Sequence, residues 1–228
     1  DIENYAFTRC GKLADIEVPV NVKRLGESAF ADCESLMSAK INSPVIGASA
    51  FSGCSNLQNV FLDKGVKTIN NYAFSECKKL AGVVIPDSVE RVGVDAFNDC
   101  ESLASAKIGC KTIDEGAFHG CTGLTNVVFG SRVTHIADAA FMDCESLASV
   151  DIPENVEGVM ENTFLGCKGL TSVKIARGTI GANAFSGCVN LRSVQFGKRV
   201  TLISDSAFMD CEKLESVAIP ASVVHIGK

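Results

Sequence analysis

The stretch Ile85-Pro86-Asp87-Ser88-Val89-Glu90-Arg91-Val92-Gly93-Val94-Asp95-Ala96-Phe97-Asn98-Asp99-Cys100-Glu101-Ser102-Leu103 decides the fold of this 228-residue chain, because its second half recurs ten times. Phe stands at 7, 30, 51, 74, 97, 118, 141, 164, 185 and 208, and a Cys follows each by three positions, from Cys10 to Cys211. A Leu follows by six, from Leu13 to Leu214, and the residue before Phe is Ala in every copy except Thr163. Successive Phe residues are 23, 21, 23, 23, 21, 23, 23, 21 and 23 apart, so any Phe and the third one after it are separated by 67. Pro19, Pro86, Pro153 and Pro220 keep the same 67-residue period. The chain is an array of three-coil units, and such self-similarity must be recognised before secondary structure is assigned.

The repeat explains an unusual composition. There are 11 Cys and 13 Phe but 2 Tyr and no Trp. Cys is below the ~8–10% of a disulfide scaffold, and a chain this long needs no staples for its core. After each Leu, stretches such as Leu147-Ala-Ser-Val150-Asp-Ile152 end in strand-like alternation. Leu+3 and Leu+5 then point inward, Leu+2 and Leu+4 outward. Pro153 or Gly130 turns the chain after the strand, and the Ala-Phe-x-x-Cys stretch, often preceded by Asp, Ser or Asn, suits a short helical or 3₁₀ turn. One coil cannot bury its own Phe, Cys, Leu and Val, so coils must stack into a continuous core with one long parallel sheet.

Residues 85–103 closely resemble the BspA-like, Treponema-type leucine-rich repeat, whose copies read Ile-Pro-x-Ser-Val-x-x-Ile-Gly-x-x-Ala-Phe-x-x-Cys-x-x-Leu. The likeness covers essentially the whole chain. It implies a right-handed leucine-rich-repeat superhelix with a strand-lined concave face, in proteins that are commonly cell-surface or secreted, several of them adhesins. The shorter coils, such as Ile108-Gly109-Cys110-Lys111-Thr112-Ile113, depart from it by lacking the Pro-x-Ser-Val loop. Residues 1–228 are read as a single solenoid domain of about ten coils. The sequence starts and stops inside a coil without a polar cap, so it is expected to belong to a longer array or to use another chain as its cap.

Charge and motifs exclude several functions. With 21 Lys plus Arg against 27 Asp plus Glu, the chain lacks the positive excess that grips nucleic acid. No run approaches the ~18 apolar residues of a membrane span. Glycine-rich phosphate loops, nucleophile elbows and paired-histidine zinc motifs are absent, and His119, His135 and His225 occupy unrelated repeat positions. No cofactor or metal is expected, nor any enzymatic activity. The Cys column reads as buried free thiols acting as small hydrophobes, because equivalent Cβ atoms in a parallel stack are too far apart and too parallel for disulfides. Cys110 lies outside that column, opposite Ser43 and Arg177 in the equivalent coils, and is read either as an inert loop thiol or as the one possible reactive or intermolecular thiol.

The outward strand column is the natural binding surface of a solenoid. At Leu+4 it carries Lys40, Lys107 and Lys174 at the 67-residue period, with Phe61 and Val84 between the first two and Val128 after the second. Apolar side chains aimed at solvent and bracketed by Lys suggest a small recognition patch for a protein or glycan partner bearing acidic groups. The expected function is therefore a non-enzymatic interaction or adhesion module. The alternative is a structural protein that self-associates into dimers or filaments through its solenoid ends.

Overall fold

The computed structural model describes residues 1–228. Each coil contributes a four-residue strand and then a two-residue strand: β1 (Asp15–Val18), β2 (Arg24–Leu25), β3 (Ser38–Ile41), β4 (Val45–Ile46), β5 (Asn59–Leu62), β6 (Thr68–Ile69), β7 (Gly82–Ile85) and β8 (Arg91–Val92). The series continues with β9 (Ser105–Ile108), β10 (Thr112–Ile113), β11 (Asn126–Phe129), β12 (His135–Ile136), β13 (Ser149–Ile152) and β14 (Gly158–Val159). In the next two coils the long and short strands fuse into β15 (Ser172–Ile180) and β16 (Ser193–Ile203), and β17 (His225–Ile226) ends the array. All pairing is parallel between consecutive coils, as stacking of one repeated unit requires.

The single long sheet expected from the sequence is divided. The odd strands β1 to β11 form one six-stranded wall, the even strands β2 to β12 a second, and β13 to β17 a third sheet. The interruption follows proline. The residue after the long strand normally donates its N–H to the coil below, as in Asn42 to Val18 O, Asp63 to Ile41 O and Gly109 to Ile85 O. Pro86 and Pro153 have no N–H to give. At these junctions β5 and β7 pair only at Asn59 and Gly82, and β11 and β13 form no ladder.

The inward and outward assignment follows from the pleat. In β3 the pattern is Ala39 and Ile41 buried, Lys40 exposed, and β9 repeats it with Ala106, Ile108 and Lys107. Together with the Phe, Cys and Leu columns these side chains make one core of 60 buried residues. The ten Phe rings stack along the axis, with neighbouring centroids 5.0 to 5.5 Å apart. Phe129 and Phe196 meet Phe141 and Phe208 edge to face, the arrangement that ring quadrupoles favour.

The Ala-Phe-x-x-Cys segment is not helical, which corrects the helical or 3₁₀ expectation. The residues two before and two after every Phe have positive φ, for example Asp95 at 52° and Asp99 at 54°. A left-handed residue on each flank resets the chain before a helical turn is complete. N–H groups consequently alternate in destination. Asn98 and Cys100 bond back within the turn to Asp95 O and Phe97 O, while Asp95, Phe97 and Asp99 bond to Glu115, Ala117 and His119 carbonyls in the next coil. The turn side of the solenoid is thus a third hydrogen-bonded wall. Gly occupies the left-handed site after Phe at Gly53, Gly120 and Gly166, where an added Cβ would strike the carboxylate of Asp32, Asp99 or Asp143 in the preceding coil.

The thiol column has a role beyond filling space. Cys33 Sγ donates to Phe7 O at 3.1 Å, and the same bond recurs in each later coil through Cys211 to Phe185 O at 3.3 Å. All 11 Cys are unpaired thiols. Burial raises Cys54 and Cys188 to about 12 and puts Cys77, Cys100, Cys144 and Cys167 well above the ordinary thiol value.

Candidate functional site

Strand alternation presents the predicted patch to solvent. Phe61, Val84 and Val128 are 59%, 60% and 47% exposed, whereas the strand residues beside them in sequence, Val60, Val83 and Val127, are buried. Phe61 is carried by β5, Val84 by β7, Lys107 by β9 and Val128 by β11, so four successive strands supply one side chain each. Lys107 lies in register between Val84 and Val128. The four side chains border a depression of about 500 Å³. Its floor includes Gly82, which leaves a gap between Asn59 and Ser105 where neighbouring coils carry a side chain. A second cleft of about 490 Å³ opens where β11 and β13 are unladdered, and Val128 borders that one too. The depressions therefore lie at the proline junctions.

The three Lys of the column differ in their charge environment. Lys40 Nζ is 2.7 Å from Glu17 Oε1, and Lys174 Nζ is 3.4 Å from Asp151 Oδ2, each across one strand gap. The Glu17 hydrogen bond, followed by its charge, raises the Lys40 pKa. In the coil before Lys107 the equivalent position is Val84, and Lys107 makes no ion pair. An unpaired ammonium among three exposed apolar groups can anchor a carboxylate while those groups take up an apolar side chain. Lys40 and Lys174 lie outside this cluster and are already neutralised. The acids that neutralise them, Glu17 and Asp151, precede them in the same Leu+4 column of the sequence.

Cys110 requires a correction. Its side chain is fully buried, its Sγ donates to Thr112 O at 3.3 Å, and burial lifts its pKa to about 12. A protonated thiol with no access to solvent is not a reactive one. Ser43 occupies the same place in its own coil, also fully buried, and donates to Val45 O at 3.1 Å. Both turn a short loop inward.

Other chemistry is dispersed. His119 Nε2 is 3.7 Å from Asp143 Oδ2, and its Nδ1 is 3.3 Å from Asn98 Nδ2, so its neighbours hold no nucleophile. His135 and His225 sit on β12 and β17. No group of three His, Cys, Asp or Glu side chains is placed to hold a metal ion, and no helix is long and apolar enough to cross a membrane.

A comparison with curated proteins gives no match. Among solved structures, a leucine-rich cell surface protein from Faecalibacterium prausnitzii A2-165 is similar at 26% identity and a TM-score of 0.59, over 98% of this chain and 72% of that one. A leucine-rich repeat protein of T. pallidum is similar at 25% identity and a TM-score of 0.57, over 94% of this chain and 82% of that one. The model for the BspA type leucine-rich repeat region matches in 6 copies over residues 1–104, 103–179 and 176–228. With the ten-fold Phe-Cys-Leu register, the parallel coils and that match over the whole sequence, the chain belongs to the BspA-type leucine-rich repeat family.

Proposed function

We propose that this chain is a non-enzymatic binding module, displayed at a cell surface or secreted, which captures a protein partner on its strand face. The observation that carries the reading is the Phe61, Val84 and Val128 cluster around the unpaired Lys107. Its exposed apolar area is on the order of 250–300 Å², or about 6–7 kcal/mol of gross transfer energy before association costs. That is enough for an anchor, and Lys107 supplies orientation toward an acidic group. The cell-surface placement is supported by the similar F. prausnitzii protein, which is described as a cell surface protein. Adhesion is the form such capture takes if the partner belongs to another cell or its matrix.

Selection of peptides from a displayed random library tests the reading. The chain should enrich sequences with a large apolar residue next to Asp or Glu. Phe61→Ser should weaken the selected peptides by about two orders of magnitude, from about 3 kcal/mol of lost burial, and Lys107→Glu should reverse the acidic preference. Selected peptides that bind the Phe61→Ser, Lys107→Glu double variant as well as the parent would overturn it. Sedimentation of the unliganded chain at rising concentration separates a foreign partner from a second copy: dimers abolished by Phe61→Ser would make the patch a self-association surface.

A further inference from the structure

A second surface lies in the coils of β15 and β16, away from the Phe61 patch. In the two earlier triads the short loop after the long strand turns a small side chain, Ser43 or Cys110, into the core. The third triad has Arg177 there, followed by Gly178 at a φ of 89°. The register shifts between Ile175 and Arg177 and again between Gly178 and Thr179, and the loop becomes the continuous nine-residue strand β15. Arg177 is then only half-buried.

The shift aligns Arg177 directly with Arg199 of β16. Like charges opposite each other on adjacent strands are destabilising. Elsewhere on the strand face the charges that meet in register have opposite signs, Glu17 with Lys40 and Asp151 with Lys174. Arg177, Lys198 and Arg199 take part in none of the nine ion pairs of the chain. They line a groove of about 320 Å³, together with Lys174, which is paired with Asp151; Glu154 is the one carboxylate in its lining. This concentration of positive charge stands in a chain of net charge −6.

We infer that the groove whose unpaired cations are Arg177, Lys198 and Arg199 is a binding site for the sulfate groups of an acidic polysaccharide. Two observations select this ligand chemistry. The three terminal oxygens of a sulfate ester point in different directions and let several guanidinium and ammonium groups approach from different sides, whereas the two oxygens of a carboxylate lie in one plane with a single edge that best matches one fork. The apolar lining is limited to Ile175, Ala176 and Phe196, of which Ile175 is buried and Phe196 half-buried. A peptide would find no socket for an apolar anchor, and a sulfated sugar chain needs none.

Heparin is the probe, with N- and O-desulfated heparin and poly-L-glutamate as comparators, titrated calorimetrically at low and at raised salt. The chain should bind heparin with an affinity that falls as salt rises, and bind both comparators at least ~10-fold more weakly. Lys198→Glu with Arg199→Glu should lower heparin affinity by ~10-fold or more. Arg177→Ser, which installs the side chain found at the equivalent position Ser43, should weaken it to a lesser degree. Lys64→Glu with Lys67→Glu, two cations elsewhere on the array, should leave it unchanged, and circular dichroism checks that every variant remains folded. No heparin binding, equal losses from the two charge-reversed pairs, or equal affinity for poly-L-glutamate would each overturn the assignment.

Discussion

Alkaline pH should unfold this chain in reducing buffer, and the thiol column sets how steeply. Cys54, Cys110 and Cys188 have an ordinary value of 9.0 and about 12 in the fold, with burial as the largest cause. The native state thus holds each proton that the unfolded chain releases above 9. Raised values in the fold mean that stability is intact below about pH 9 and falls as pH climbs toward 12. At pH 10 the cost for one such thiol is RT ln(11/1.01), about 1.4 kcal/mol, so the three together remove about 4 kcal/mol. Cys77, Cys100, Cys144 and Cys167, deeper still, act in the same direction. Set against a typical total of ~5–15 kcal/mol, the loss is large enough to denature the array. Urea titration followed by circular dichroism at about pH 7.5 and about pH 10 measures it. The triple variant Cys54→Ala, Cys110→Ser, Cys188→Ala should be less stable at neutral pH but should lose about 4 kcal/mol less between the two values. A parent midpoint that does not move with pH, or a triple variant with the same pH dependence, would refute the argument.

Two other features give sharp expectations. Ala139 sits at a φ of 53°, so Ala139→Gly should stabilise by about 0.5–1 kcal/mol, the left-handed strain relieved less the added unfolded-state entropy, and raise Tm by about 2 °C. Gly120→Ala should do the reverse by about 2 kcal/mol, since it adds that strain and drives a methyl into the Asp99 carboxylate; adding Asp99→Gly should restore part of the loss in a double-mutant cycle. Phe97 is stacked at 5.1 Å on both Phe74 and Phe118, so Phe97→Leu should forfeit about 1–3 kcal/mol of ring pairing. Phe7, stacked on Phe30 alone and 43% exposed, should lose about half as much on the same change, measured by denaturant midpoint.

Most of the coil was legible because its positions are copied. Ten concordant Phe, Cys and Leu columns fix which side chains are inside, and a strand period of two then places Phe61, Val84 and Val128 outside. The turn conformation was not legible, because its left-handed sites are filled by Asp, Asn, Ser, Tyr, Glu, Arg and Ala as well as Gly, and hydrogen bonds between coils help to hold them there. Cys110 was misread because a residue outside a column was taken to be outside the core; the buried Ser43 shows that the short loop folds inward. The divided sheet could have been anticipated from Pro86 and Pro153, whose missing N–H groups fall where a ladder bond belongs. The Arg177 groove was hidden for a different reason. It depends on a register shift, which residue spacing does not reveal.

The turn wall also has an electrical direction of its own, opposite to that of N–H groups elsewhere in the coil, such as Asn42, Gly93 and Gly109, which point to the preceding coil. From the first coil to the ninth, three backbone N–H groups per coil point to carbonyls in the coil that follows, from Tyr5 to Glu27 through Gly187 to Met209. Their dipoles add along the axis as peptide dipoles do in a helix, positive toward higher residue numbers. Within this wall the S–H bonds run the opposite way, but a thiol is a weak donor and offsets little of the wall's own dipole. On this wall every coil therefore has an acceptor face and a donor face. Another array of the same kind can extend the wall head to tail, where amide meets carbonyl; head to head, amide would meet amide and the junction would repel.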